Sequence, residues 1–230
     1  MIKNENFRIR INIPSRIICG NRCRICGKAT ELNKDICDTC SVDKIRVTEE
    51  TLQSFSCTHK AFDNFTTPFY YDEPIIQCIK NFKYKDFRRA GEFLSQELIQ
   101  VISRDFQNET PDFITCVPMT KLRRFRKNYN QGEVLIKYIS EAFSMTPSPK
   151  LLKKTKNTRP QANLSGKERL TNLKNAFTVN SEYDVKDKTV LLCDDIITTG
   201  CTLEECSKTL KKAGAKRVIC AVCALNSKNF

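Results

Sequence analysis

The sequence predicts an α/β fold, in which a mainly parallel sheet is flanked by helices and preceded by a small four-cysteine module. Two observations predict it. Residues 189–225 read as strand, loop, helix and strand, which is the repeating unit of parallel sheets. Two CxxC pairs with ten residues between them lie in an N-terminal segment that has few large apolar side chains. We therefore predict a zinc-binding module at 1–60 and an α/β domain at 61–230.

Length and composition restrict the class of protein. The chain has 230 residues, of which 40% are hydrophobic and 28% are charged, so it can bury a sizeable core. No stretch approaches the roughly 18 consecutive apolar residues of a membrane helix, and we expect no membrane insertion. The N-terminus lacks the apolar core of an export signal, and the thirteen cysteines are an odd number. Both features favour the reducing cytoplasm, where clustered cysteines bind metals more often than they form disulfides.

The charge of the chain is concentrated in one stretch. The formal net charge is +13, and residues 111–170 carry 13 basic and 4 acidic side chains. The positive electrostatic potential of such a stretch attracts polyanions, either nucleic acid or a small ligand rich in phosphate. On charge alone, a solvated basic face that maintains solubility is an equally good interpretation.

The cysteine pairs have the spacing of a tetrahedral four-sulfur metal site, formed by Cys23, Cys26, Cys37 and Cys40. Zn²⁺ is the usual occupant, and four protein ligands leave no open position, so the ion would be structural. Binding of structural zinc supplies roughly 10–16 kcal/mol of apparent free energy, which can replace a hydrophobic core. Three further residues could substitute as ligands, although we expect ordinary buried or surface side chains there: Cys19, Cys57 and His59.

Two adjacent acids follow a short apolar run. Val190–Cys193 is typical of a central parallel strand buried on both faces, and Asp194 and Asp195 come directly after it. Ionised carboxylates accept hydrogen bonds, which suits vicinal ribose hydroxyls. The next residues can cradle a phosphate with their backbone N–H groups and hydroxyls. These residues are Thr198, Thr199, Gly200, Cys201 and Thr202. The segment therefore predicts a ribose 5-phosphate site, whereas a simple Asp-rich turn with a helix cap would explain one Asp and one Thr.

A helix and a strand are predicted after this loop. Thr202 and Glu205 have capping-box spacing at the start of the helix, and Gly214 follows its last turn. The second strand covers 218–225. Ligands of open α/β sheets bind at the carboxyl ends of such strands.

Basic residues follow another predicted strand at 114–118. They could clamp a pyrophosphate and neutralise its charge as it leaves. The basic residues of this loop are Lys121, Arg123, Arg124, Arg126 and Lys127, of which the last four are the candidate pyrophosphate ligands. An amphipathic helix is predicted at 131–143. Downstream, residues 158–177 combine helix-breaking residues with basic residues, a composition that suits a mobile lid over the site. The candidate lid residues are Arg159, Gln161 and Arg169.

Residues 190–202 closely resemble the phosphoribosyl pyrophosphate (PRPP) motif of type I phosphoribosyltransferases, four mostly apolar residues followed by DDxxTTGxT. Cys193 stands where an aliphatic residue is common, an exchange that a buried strand tolerates. The resemblance implies the type I phosphoribosyltransferase fold, with Asp194 and Asp195 as catalytic residues that bind the ribose hydroxyls. It also implies that the Thr198–Thr202 loop binds the 5′-phosphate, that Mg²⁺ accompanies PRPP, and that a nucleophile displaces pyrophosphate.

Further features make the chain similar to the ComF family, the competence-associated, GntX-like and amidophosphoribosyltransferase-like proteins. They are the four-cysteine knuckle, the segment 79–84, and the Asn-Gln pair that ends Lys-Asn-Tyr-Asn-Gln at 127–131, where the family often has Arg-Gly-Phe-Asn-Gln. The resemblance implies a role in DNA uptake during natural transformation. It also suggests that the zinc segment and residues 61–110 form the hood that selects the acceptor.

Two functions follow from these observations. The first is a PRPP-binding, Mg-dependent phosphoribosyltransferase. The second is a single-stranded DNA-binding competence protein with a non-catalytic PRPP site, in which Phe125 or Tyr129 stacks on a base. We expect Tyr138, on the apolar stripe of its helix, to belong to the core instead. The family association adds single-stranded DNA and a competence helicase to PRPP as candidate partners.

Overall fold

A parallel sheet forms the centre of the molecule in the computed structural model, which describes residues 21–31, 33–58, 61–84, 87–119, 130–156 and 172–226. The strands of these residues are β1 (Asn64–Thr66), β2 (Phe69–Tyr70), β3 (Phe113–Cys116), β4 (Leu152–Lys154), β5 (Phe177–Val179), β6 (Thr189–Ile197) and β7 (Arg217–Leu225). The order across the sheet is β1–β7–β6–β3, β2 also pairs with β7, and every pair is parallel. β4 and β5 form a separate antiparallel pair.

Helices cover both faces of the sheet, as predicted. They are α1 (Glu49–Thr58), α2 (Ile75–Tyr84), α3 (Phe87–Asp105), α4 (Gln131–Ala142) and α5 (Cys201–Lys212). Buried side chains of α2, α3 and α4 share one hydrophobic cluster with one face of the sheet. Those of α1 and α5 share a second cluster with the other face. Among the described helices, none combines the length and the apolar character needed to cross a membrane.

Strand β6 is buried on both faces, as its apolar run predicted. Val190 and Leu192 belong to the cluster of α1 and α5, whereas Leu191 and Cys193 belong to the cluster of α2, α3 and α4. The strand is longer than predicted, because its backbone pairing with β7 continues to Ile197. The two acids therefore lie inside the strand and not after it.

The predicted start of helix α5 was wrong. The helix begins at Cys201, and its N-cap is Gly200, with no side-chain cap bond. Thr202 thus lies within the first turn, and the Glu205 carboxylate accepts a hydrogen bond from the Asn175 N–H at 2.6 Å. Gly200 itself explains the difference, because its backbone allows the sharp entry that a capping side chain would otherwise stabilise. Gly214 follows the last turn as predicted.

The cysteine module packs against the body of the protein. Ile25 and Val42 are buried in the same cluster as α2 and α3. Arg24 Nη1 donates to Gln96 Oε1 of α3 at 2.5 Å. The division of the chain at residues 60 and 61 remains a prediction.

Candidate functional site

The acid pair lies at the carboxyl end of β6, in the middle of the sheet. Asp194 is in register with Val222 of β7, and the Asp195 N–H donates to Asp194 Oδ1 at 2.9 Å. Because successive side chains of a strand alternate between faces, Asp194 continues the row of Leu192 toward α5. Asp195 continues the row of Cys193 toward α2.

Lys83 of α2 is the partner of Asp195. The distance from Lys83 Nζ to Asp195 Oδ2 is 2.6 Å, and the two side chains are 21% and 18% exposed. Sequence reasoning missed this residue, because the segment 79–84 served only as a family feature. A signal existed, since Lys83 lies at the edge of the apolar stripe formed by Ile79 and Phe82, which are buried. The stripe predicts that Lys83 lies near the sheet, but it does not identify the partner.

Burial and charge perturb this group of side chains. Burial raises the pKa of Asp194 well above the usual carboxyl range, and the neighbouring Asp195 charge adds to the increase, while Lys83 opposes it. Burial alone would lower the pKa of Lys83, but the two carboxylates raise it by more, so the ammonium group stays charged. Perturbed carboxyl groups of this kind, paired with a specific cation, are typical of functional sites.

The loop after β6 leads directly into the N-terminus of α5. Gly200 has φ of 71°, in the left-handed region that favours glycine. Thr199 Oγ1 donates to Cys201 Sγ at 3.1 Å, which fastens the loop to the first helical turn. The first N–H groups of a helix have no partner within it and, with the helix dipole, attract an anion. The structure thus places the predicted phosphate loop, Thr198–Thr202, next to the acid pair.

Strand β3 and helix α4 bring a second helix N-terminus to the same edge. The Val117 N–H donates to the Cys193 carbonyl at 3.0 Å. Asn130 caps α4 by accepting from the Gly132 N–H at 3.0 Å. A Cβ atom on Gly132 would lie 2.8 Å from Cys116 Cβ, so the close packing of this helix on β3 requires glycine. The predicted pyrophosphate residues lie between these elements and outside the described residues: Arg123, Arg124, Arg126 and Lys127.

Several other predicted residues lie outside the described part of the chain. They are the lid residues Arg159, Gln161 and Arg169, the aromatic residues Phe125 and Tyr129, and the substitute ligands Cys19 and His59, together with the side chain of Cys57. Tyr138 is described, and the prediction that it belongs to the core was wrong: it is half-buried in α4 and lies in neither hydrophobic cluster, because its hydroxyl donates to Glu92 Oε1 at 3.3 Å.

The four predicted cysteines form one cluster, in which all sulfur atoms lie within 4.8 Å of one another. The Cys26 and Cys37 sulfurs are 3.8 Å apart. In a tetrahedral site with Zn–S bonds of about 2.3 Å, the sulfurs are about 3.8 Å apart, so the cluster fits an ion of this size. Backbone turns hold the cysteines, since the Cys40 N–H donates to the Cys37 carbonyl at 2.8 Å.

The electrostatics differ among the cysteines of the cluster, since burial raises the pKa of the Cys26 and Cys40 thiols whereas that of Cys23 is lowered. Burial raises the pKa of the Cys23 thiol, but backbone N–H groups of the neighbouring knuckle residues lower it by more, to about 7. The thiolate is the form that binds a metal. The four cysteines offer a closed set of ligands, which is the pattern of a structural ion.

Comparison with known proteins gives one matching family and several relatives. A family model of the phosphoribosyl transferase domain matches residues 85–229, more than half of the chain. Competence protein F of Haemophilus influenzae is 33% identical over 162 residues, which cover 69% of this chain and 71% of that protein.

Two other relatives extend this similarity. DNA utilization protein YhgH of Escherichia coli strain K12 is 28% identical over 201 residues, 85% of this chain and 86% of that protein. An amidophosphoribosyltransferase of Pasteurella multocida is 29% identical over 137 residues, 60% of this chain and 23% of that protein. The range matched by the family model includes the acid pair, the loop before α5 and the strands on either side.

Proposed function

Because the chain belongs to the phosphoribosyl transferase domain family and to its ComF group, we propose that it binds PRPP with Mg²⁺ and serves DNA uptake. The observation that carries the proposal is the position of Asp194 and Asp195 beside the Gly200 loop and the N-terminus of α5. This arrangement offers acceptors for a diol and donors for a phosphate at neighbouring points of one sheet edge.

The proposed chemistry is transfer of the phosphoribosyl group. The bond from the anomeric carbon to pyrophosphate breaks, and a nucleophile forms a new bond to that carbon, through a transition state that resembles an oxocarbenium ion. The acid pair would hold the ribose hydroxyls, and the Thr198–Thr202 loop would hold the 5′-phosphate. The basic residues at 121–127 would neutralise the negative charge of the departing pyrophosphate. The chain then acts by positioning and by charge, without a covalent nucleophile of its own.

We also propose that Zn²⁺ occupies the four-cysteine cluster as a structural ion. The support is the spacing of the sulfurs and the closed ligand set described above. Cytoplasmic localisation is part of the same proposal, because thiolate ligands of this kind persist in a reducing compartment.

Calorimetry with PRPP and Mg²⁺ tests the proposed ligand. We expect a dissociation constant between about 1 µM and 1 mM, the range of the Michaelis constants of most enzymes. Ribose 5-phosphate should bind at least about tenfold more weakly, because it lacks the pyrophosphate that the basic loop neutralises. A panel of amines and bases, assayed for release of pyrophosphate, then tests transfer. Failure of millimolar PRPP to bind, or equal affinity for ribose 5-phosphate, would contradict the proposal.

Direct binding of single-stranded DNA is the second candidate function. The observation in its favour is the excess of basic residues in 111–170, in a chain whose relatives are named for competence and DNA utilization. Replacing Arg123, Arg124 and Arg126 by glutamine should then flatten the slope of log affinity against log salt by about 2, at about 0.7 per phosphate contact.

The control for this titration replaces three exposed lysines elsewhere, Lys44, Lys186 and Lys212, by glutamine. This variant should keep the slope of the wild type. Equal slopes for all three proteins would rule out the basic loop as the DNA contact. DNA affinity that survives the loss of the acid pair would show that the two functions are separable.

A further inference from the structure

Helix α2 connects the four-cysteine cluster to the acid pair. On one side of the helix, Asn81 Nδ2 donates to the Ile25 carbonyl at 2.7 Å. Gln77 Nε2 donates to Asn81 Oδ1 at 2.8 Å, which fixes the orientation of the Asn81 amide. Ile25 lies between Cys23 and Cys26 and is 1% exposed. The buried turn of the first knuckle therefore holds this helix in place.

Lys83 leaves the same helix on the opposite side. Residues two positions apart in an α-helix point about 200° apart, so Lys83 is directed away from the knuckle and toward β6. Its Nζ lies 2.6 Å from Asp195 Oδ2. A lysine ammonium has three N–H donors, and Asp195 is its ion-pair partner within the described residues. Donors therefore remain for an anionic oxygen placed beside the acid pair.

A polyanion needs a cation at this end of the sheet. Two adjacent carboxylates repel phosphate oxygens, and the other ionisable groups that interact with them do not offset that charge. Within the described residues these groups are the buried thiols of Cys193, Cys206, Cys220 and Cys223, whereas Tyr71 interacts with Lys83. Burial raises the pKa of each of these thiols, so they stay neutral. Within the described residues Lys83 supplies positive charge beside the acid pair, which the proposed Mg²⁺ and the basic residues at 121–127 would supplement.

Building on the proposed function, we infer that Lys83 is a further binding residue of this site, contacting an anionic oxygen of PRPP beside Asp195. Asn81 is its positioning residue, because it fastens α2 to the four-cysteine module. The module thereby has a second role besides its own folding: it sets the position of a cation in the ligand site.

The test compares PRPP affinity, measured by calorimetry with Mg²⁺, among substitutions in α2. Lys83→Met should weaken binding at least about tenfold, the loss of one charge-assisted hydrogen bond, and Lys83→Arg should stay within about threefold of the wild type. The matched control is Lys80→Met, the same change at an exposed position of the same helix, which should leave the affinity unchanged. Wild-type affinity in Lys83→Met would overturn the inference and leave the proposed function intact.

The role of Asn81 is tested with a double-mutant cycle. Asn81→Leu should weaken PRPP binding in the wild-type background and have little further effect when Lys83→Met is present, because both changes remove the same contact. Additive losses in affinity would show that Asn81 acts independently of Lys83 and would overturn its positioning role.

A ligand-free measurement separates failure of this inference from failure of the proposed function. Without Lys83 the largely buried Asp195 carboxylate loses its ion-pair partner. Lys83→Met should therefore lower the melting temperature by about 2–4 °C, and Lys80→Met should not. If this difference is found but the wild type does not bind PRPP, the proposed function and the ligand contact both fail, and only the ion pair stands. If no difference is found, the ion pair itself is contradicted.

Discussion

Asparagine variants of the acid pair are expected to lose PRPP binding while keeping the fold. Asp194→Asn and Asp195→Asn preserve shape but remove a carboxylate that accepts hydrogen bonds from the ribose hydroxyls, and for Asp194 the full loss is expected above its folded pKa of about 8. A hydrogen bond to a charged group contributes about 1.5–3 kcal/mol, so each variant should bind PRPP about 10- to 150-fold more weakly. Calorimetry with PRPP and Mg²⁺ measures this loss.

The two variants should differ in stability, which distinguishes loss of binding from misfolding. The pKa of Asp194 is raised in the folded protein, so its contribution to stability is full below its unfolded pKa, about 3.9. That contribution is lost as the pH rises through the folded pKa. Asp194→Asn cannot ionise, and its stability relative to the wild type should increase with pH. Asp195→Asn instead deprives Lys83 of its partner and should lower stability at neutral pH.

A control for both variants is Asp187→Asn. Asp187 is exposed, lies before the amino end of β6, and has φ of 59°, a conformation that asparagine tolerates. The Asp187→Asn variant should bind PRPP with the affinity of the wild type. Wild-type affinity in both acid-pair variants would contradict the assignment of the sugar site.

Loss of one ligand of the four-cysteine cluster should cost more stability than loss of a buried cysteine elsewhere. Cys37 is partly exposed, whereas Cys206 of α5 has no exposed surface. By burial alone, Cys206→Ala should be the more damaging change. If Cys37 holds a structural ion, Cys37→Ala should instead lower the unfolding free energy by about 4 kcal/mol or more, about 10 °C in melting temperature.

Metal analysis supports the comparison. The wild type and Cys206→Ala should each contain one equivalent of zinc per chain, and Cys37→Ala should contain little. Chelation of the wild type should reproduce the lower melting temperature of Cys37→Ala. A metal-free wild type, or a Cys206 variant that is less stable than the Cys37 variant, would contradict a structural zinc site.

The sequence allowed prediction of the elements whose signals are local. The apolar run at 190–193, the stripe of α4 and the spacing of the cysteines each follow from residues close in the chain, and the structure has them. The length of β6 was underestimated, because its last residues are held by backbone pairing with β7, which side-chain patterns do not report. The start of α5 was misplaced because Gly200 replaces a side-chain cap.

Long-range contacts could not be predicted from the sequence. The pairing of Lys83 with Asp195 joins a helix of one hydrophobic layer to a distant strand end. The bond from Asn81 to Ile25 depends on how the cysteine module docks, and neither residue type is distinctive by itself. Such contacts are properties of the assembled layers, and only the three-dimensional structure shows them.

The alternation of side chains along β6 has a consequence for the orientation of any bound sugar. Consecutive acids of a strand belong to different sides of the sheet, so Asp194 borders the α5 layer and Asp195 borders the α2 layer. A sugar ring that contacts both carboxylates must therefore lie across the carboxyl end of β6. One edge of the ring then faces the α5 layer, and the other edge faces the α2 layer. Movement of either layer would then tilt the ring, and the reactive carbon would turn with it.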